Sequence, residues 1–200
     1  KDELPSGDNT QSRPRNLLNT NLATHRRNLL DDSSANQWTV MAGNDHWFFG
    51  DNGAGIVSDG AGGAFVTGSF YGTATFGATT LTSSGGYKDV FVMRVSSSGI
   101  IEWALKAGAS GGGVFGDAGS GIASDGAGGA LVTGWFSGVT TFGSTTLTSS
   151  GSLDVFVMRV SSSGGVQWAL KAGGSSSDFG NSIASDGTGG ALVTGRFCGT

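Results

Sequence analysis

Charge is scarce in this chain: 13 % of its 200 residues are Asp, Glu, Lys or Arg, with a net charge of −4. That balance, with the basic residues dispersed, excludes the basic, aromatic-interleaved patch of a nucleic-acid binder. Proline occurs twice, cysteine once (Cys198) and histidine twice (His25, His46). One cysteine excludes an internal disulfide framework. Neither histidine stands at metal-ligand spacing to the other, and Cys198 has no His near it in sequence, so no His/Cys metal set or thiol–imidazole pair is on offer. Nucleophile-elbow and phosphate-loop motifs are missing, and no apolar run approaches the length of a membrane-spanning helix. The chain opens at Lys1, so a processed or excerpted piece is expected. Lys1-Asp2-Glu3-Leu4 spells a retention signal that is read only at a C-terminus.

What the chain has in excess is glycine, 38 residues or about one in five. The glycines lack the every-third-residue period of collagen. They fall instead in Gly/Ser/Asp clusters between short runs of β-branched and aromatic residues, the pattern of all-β structure with many tight turns. The segments also repeat. Asp89-Val90-Phe91-Val92-Met93-Arg94-Val95-Ser96-Ser97-Ser98-Gly99 returns letter for letter at Asp154 to Gly164, and Trp38, Trp103 and Trp168 are each separated by 65 residues. Ser58-Asp59-Gly60, Ser124-Asp125-Gly126 and Ser185-Asp186-Gly187 each lead into a Val-Thr-Gly. A period of this length decides the architecture before any local propensity does.

Within one period four strands are expected. In the middle copy they are Gly121 to Ser124, Ala130 to Phe136, Asp154 to Val160 and Val166 to Leu170. The Gly-rich turn Asp125-Gly126-Ala127-Gly128-Gly129 joins the first two, and a Thr/Ser-rich excursion, Val139 to Ser150, separates the second and third. Alternation along the third strand puts Phe156, Met158 and Val160 on one face and Val155, Val157 and Arg159 on the other. With both faces largely apolar, the strand belongs to a sheet covered on both sides. Tandem four-stranded antiparallel units of about 65 residues, apolar on both sides, describe β-propeller-type blades; solenoid coils are usually shorter, about 20 to 45 residues. The expected organisation is a leader, linker or propeptide over 1–35, with the dibasic Arg26-Arg27 inside it. A repeat region then covers 36–200, in units of approximately 44–108, 109–173 and a partial 174–200. Such a chain holds an incomplete propeller, to be completed by the missing blades of a longer chain or by other copies of itself.

The pattern resembles the SBBP β-propeller repeat family. The residues that carry the resemblance are Ser124 to Gly134, Thr141-Phe142-Gly143, Leu147 to Gly151, Asp154-Val155-Phe156-Val157, Trp168-Ala169 and Gly173-Gly174. They are matched in the first copy from Ser58 to Gly108 and in the third from Ser185 to Thr200. The resemblance implies a secreted or surface-displayed protein and no shared catalytic chemistry.

Three residue sets stand out as candidates. Asp59, Asp125 and Asp186 are either turn aspartates binding backbone N–H groups or single carboxylate contributions to calcium sites, for which six to eight oxygens are needed. Asp89 and Asp154, with Arg94 and Arg159 five residues on, are expected to form ion pairs between blades, the sharper alternative being an anion site. Ser69-Phe70-Tyr71, Trp135-Phe136-Ser137 and Arg196-Phe197-Cys198 keep the central Phe and vary its neighbours, which makes Tyr71, Trp135 and Arg196 candidate contacts for a ligand such as a glycan. The irregular segment Asn44 to Asp51 is either a binding loop or a cap. The tryptophans are expected to pack between blades with Lys106 and Lys171 lying beside them. Flat Thr arrays at Thr73-Ala74-Thr75 and Thr140-Thr141 raise water ordering, but they are short and interrupted.

These features favour a non-enzymatic extracellular or cell-surface module for structural display, adhesion or ligand binding, with no cofactor. Two alternatives remain: a self-assembling subunit of an extracellular filament or sheet that pairs through open β-edges, and a non-catalytic part of a larger secreted enzyme.

Overall fold

The computed structural model describes residues 42–43, 50–109 and 116–199, all within the unit Asn36–Thr200. The leader with His25 and Arg26-Arg27, the strand expected around Trp38, His46 and most of the segment from Asn44 lie outside the described residues. Among the described residues there are fifteen strands in four sheets and no helix. The strand pairs of these sheets are antiparallel, and none of the sheets closes on itself.

After β1 (Ala42–Gly43), the first unit comprises β2 (Asn52–Ser58), β3 (Ala64–Phe70), β4 (Thr73–Phe76), β5 (Thr79–Thr82), β6 (Asp89–Val95) and β7 (Ile101–Ala109). The second repeats it as β8 (Ala118–Ser124), β9 (Ala130–Phe136), β10 (Val139–Phe142), β11 (Thr145–Thr148), β12 (Asp154–Val160) and β13 (Val166–Ala172). The third shows β14 (Phe179–Ser185) and β15 (Ala191–Arg196). The long strands of the second unit pair in the order β8-β9-β12-β13, a four-stranded meander, and β2-β3-β6-β7 does the same.

Three of the four expected strands start where alternation placed them. The first begins three residues earlier, at Ala118, because Gly119-Ser120-Gly121 holds a bulge that glycine tolerates and apolar patterning does not reveal. The turn after it needs glycine for two reasons. Gly126 and Gly128 have φ of 75° and 86°, and a Cβ on Gly129 would strike the Val160 carbonyl.

The Thr/Ser excursion is a hairpin. In β10 and β11 the threonines Thr141, Thr146 and Thr148 face solvent while Phe142 and Leu147 point inward, the alternation of a half-buried strand pair. The Phe142 ring lies 5.8 Å edge-on from Phe136 and 4.9 Å from Phe156. Phe76 repeats the arrangement against Phe70 and Phe91. The backbone of β10, however, pairs with the preceding unit, Thr140 opposite Ala109 and Thr141 opposite Gly108. In the first unit β1 takes that place, with Gly43 opposite Thr75. Each hairpin is thus packed into its own unit and hydrogen-bonded to the strand before it.

The core lies largely between units. Val90, Val92 and Ala107 of the first unit form one buried cluster with Val132, Phe136, Phe142, Phe156 and Met158 of the second. Its alternate residues Phe91, Met93 and Val95 belong to a separate cluster with Phe70 and Phe76. β6 is therefore buried on both faces, as its sequence requires.

Candidate functional site

The Gly-rich turns hold their aspartates in one repeated way. Asp125 Oδ1 accepts N–H bonds from Ala127 at 2.8 Å and Gly129 at 2.7 Å, and Oδ2 accepts from the Arg159 guanidinium at 2.8 Å. Asp59 is bound likewise by Ala61, Gly63 and Arg94. Asp186 keeps the two backbone bonds, from Thr188 at 2.7 Å and Gly190 at 2.9 Å. The Arg94 guanidinium, with the Ala61 and Gly63 N–H groups, holds the Asp59 carboxyl below its ordinary range. Burial raises Asp125, but its N–H donors and Arg159 outweigh that and leave it lowered. The Thr188 and Gly190 N–H groups, with a smaller share from the Thr188 side chain, lower Asp186. In all three Oδ1 is occupied by N–H donors of the turn, and in Asp59 and Asp125 Oδ2 is taken by an arginine from the third strand. No group of three or more His, Cys, Asp or Glu converges among the described residues.

The ion pairs differ from those expected. Arg94 and Arg159 reach the turn aspartate of their own unit, and Asp89 and Asp154 meet Lys106 and Lys171 at 3.3 and 3.4 Å. Residues five apart on a strand project to opposite faces, so Asp89 cannot pair with Arg94, and the partners come from neighbouring strands of the same unit. The lysines do not lie along the tryptophans; Lys106 Nζ also reaches Ser84 Oγ at 2.7 Å. The tryptophan does bridge units. Trp103 packs 5.9 Å from Phe65, and its indole N–H donates to the Ser162 carbonyl of the second unit at 2.9 Å.

A second aspartate series was missed: Asp51, Asp117 and Asp178, each seven residues before the Ser of a Ser-Asp-Gly. That spacing is the signal that extending the repeat upstream would have found. Asp117 is buried where the first unit joins the second. It accepts from Ser137 N at 2.8 Å, Ala109 N at 3.0 Å and Thr140 Oγ1 at 3.2 Å. Asp178 accepts from Cys198 N and Gly174 N, both at 2.7 Å. Burial pushes the Asp117 carboxyl up to about 7, with the nearby Asp89 charge adding to the rise against its N–H donors. Asp89 is itself raised by burial, against the opposing Ser84 N–H and Lys106.

The three candidate ligand contacts have different surroundings. Trp135 meets Phe179 at 5.5 Å in the junction between the second and third units. Arg196 is exposed and donates to Cys198 Sγ at 3.1 Å. The Tyr71 N–H donates to Asp51 Oδ1 at 3.1 Å. A shallow open depression on β2 is lined by Gly53, Ala54, Gly55, Ile56 and Val66, with no charged side chain. No helix among the described residues is long and apolar enough to cross a membrane.

No family model matches the chain, and no curated protein matches it.

Proposed function

We propose that this chain is a non-enzymatic repeat module of the extracellular space or cell surface, built of propeller-type blades like those of the SBBP repeat family and used for rigid display. The observation that carries the reading is that the repeated charged groups serve the scaffold: Asp59, Asp89, Asp125 and Asp154 each bind backbone or a cation of their own unit, and Asp117 fastens one unit to the next.

Blade-type packing is supported by the first strands of successive units, which lie close together through glycine. The Cα of Gly55 faces Ile122, and that of Gly121 faces the Ser182 backbone, with no room for larger side chains at the second contact. On such a scaffold the residues that change between copies, Tyr71, Trp135 and Arg196, are the ones left to recognise a ligand, with multivalency supplying avidity. Glycan-array binding of the full chain tests this. Tyr71→Ala with Arg196→Ala is expected to abolish binding of a captured glycan. Equal binding by wild type and variant removes the ligand reading. Trp135→Ala is kept separate because it also loosens a junction.

A further inference from the structure

The joint between the first two units holds a carboxyl that no ion pair neutralises. We infer that this joint is a proton-operated clasp: Asp117 ties the units together as a neutral acid, and its ionisation loosens the grip of β10 on β7. The groups that work the clasp lie between Thr82 and Thr141, inside the repeat region, and none of them is a candidate ligand contact.

Burial and missing counter-charge set Asp117 apart. It is 1 % exposed. Asp59, Asp89, Asp125 and Asp154 each face a Lys or Arg at 2.8 to 3.4 Å, whereas no ion pair among the described residues includes Asp117. The Lys106 ammonium is committed to Asp89, the Thr82 carbonyl and Ser84 Oγ. A carboxyl out of water without a cation keeps its proton to higher pH. Asp89 strengthens the effect. Its own carboxyl is buried and fills the space where a Cβ would stand on Gly108, the residue paired with Thr141 in the β7–β10 ladder. Ionising Asp117 therefore sets two negative charges beside one ammonium inside the clasp. Its rise to about 7 agrees with that arrangement.

The surrounding elements carry other charged and titratable groups. Lys88, with Tyr87 before it, meets Asp117 through its backbone, its carbonyl accepting the Asp117 N–H at 2.7 Å. Glu102 on β7 is with Arg94, and Lys171 across β9 is with Asp154. Ahead of β2, Asp51 accepts from the Tyr71 N–H, and ahead of β14, Asp178 accepts from Gly174 and Cys198 N–H groups. Residues 110–116 contain no titratable side chain.

Thr140 lets the site hold a proton without losing a bond. Its hydroxyl has one hydrogen and two acceptors in reach, Asp117 Oδ2 at 3.2 Å and the Ser137 carbonyl at 3.3 Å. To an ionised Asp117 it donates. From a neutral Asp117 it accepts, and its own hydrogen turns to Ser137. Thr140 stands opposite Ala109 in the clasp, and the Ala109 N–H is itself a donor to Asp117, so the proton sits on the contact that joins the units. An opened clasp returns Asp117 to water and to the ordinary carboxylate range. Opening below about 7 then releases a proton, so it becomes easier as pH rises toward that value and levels off above it. The joint is tightest in acid.

Two NMR measurements on the full chain test this. The Asp117 carboxyl carbon should titrate with a midpoint near 7. Amide exchange, corrected for its intrinsic pH dependence, should show the Ala109 and Ser137 N–H groups opening more readily than those of Val132 and Val157 in the β9–β12 pairing. Their opening should rise about tenfold per pH unit between roughly 5 and 7. Asp117→Asn, an isostere of the neutral acid, should abolish that slope and keep the joint closed throughout. The inference is overturned by a carboxyl midpoint near the ordinary 3.8, by a slope that survives Asp117→Asn, or by equal opening of the two sets of amides. The carboxyl titration needs no variant, so it decides the matter even if Asp117→Asn does not fold.

Discussion

The second and third units share a Ser-Asp-Gly turn, an Ala-Leu-Val-Thr-Gly strand and a following Phe, yet they differ in everything that depends on a neighbour. Phe136 is fully buried and Phe197 is 57 % exposed. Asp125 has its arginine, and Asp186 binds only its own loop. The turn geometry is the same in both, with positive φ at Gly126 and Gly128 and at Gly187 and Gly189. Local sequence is therefore sufficient for the turn and the first hairpin. Burial, ion pairing and hydroxyl satisfaction require the second hairpin and the following short one.

That contrast sets the predictions. The largest effect is expected from Phe156→Ala, which empties a fully buried site against the Phe142 ring and should cost about 3–5 kcal/mol in denaturant unfolding. Phe197→Ala should cost within about 0.5 kcal/mol. Comparable losses at both positions would mean that the third unit is covered in solution.

The next effect is electrostatic. Asp117 has an ordinary value of 3.8 when unfolded and about 7 when folded. Between those values the folded state keeps a proton that the unfolded chain has released, so stability falls as pH rises through the window, by roughly 1.4 kcal/mol per pH unit, and is level above it. Asp89, also raised, acts in the same direction. Asp59 and Asp125, both lowered, act oppositely and withdraw stability only as pH falls through their folded values. Asp117→Asn should flatten the slope on the neutral side. An unchanged pH profile would place the titration elsewhere.

Smaller still, Arg159→Ala should cost about 1 kcal/mol, solvent around the guanidinium moderating the loss. Asp186→Ala should leave the unfolding transition where it was. A small effect of the opposite sign is expected at Ser137, whose buried hydroxyl makes no hydrogen bond among the described residues. Ser137→Ala should raise stability by up to about 1 kcal/mol, whereas Cys198→Ala, at the equivalent position of the third unit, should do nothing measurable in the same assay.

Much of this organisation was legible in the sequence, and the exceptions have physical reasons. β12 could be bounded from its letters because alternation on two apolar faces leaves no other conformation that buries both. The start of β8 could not, since Gly119-Ser120-Gly121 carries no propensity and owes its extended form to the β9 backbone and the neighbouring units. The hairpin β10–β11 was hidden in a run of threonines, where Phe142 and Leu147 are the only inward markers. Among candidate groups, the turn aspartates could be read from a local motif. Asp117 was legible as a repeated position, but its role was not, because its donors come from residues 8 to 23 positions away on two different units. The ion pairs were expected between blades and form within each unit instead, because neighbouring strands of one sheet bring Arg94 to Asp59 and Lys106 to Asp89.

The clasp between each short hairpin and the preceding strand has a consequence for how such chains change length. Because β10 grips the tail of β7 through backbone pairing and one aspartate, Asp117, that recurs with the repeat, and β4 grips β1 through the same backbone pairing, any unit can follow any other without a tailored joint. Duplicating or deleting one whole 65-residue period leaves every clasp with an identical partner. Recombination by a fraction of a period strands a hairpin without a tail. Lineages carrying this unit should therefore vary in repeat number by integers, whatever their residues facing outward have become.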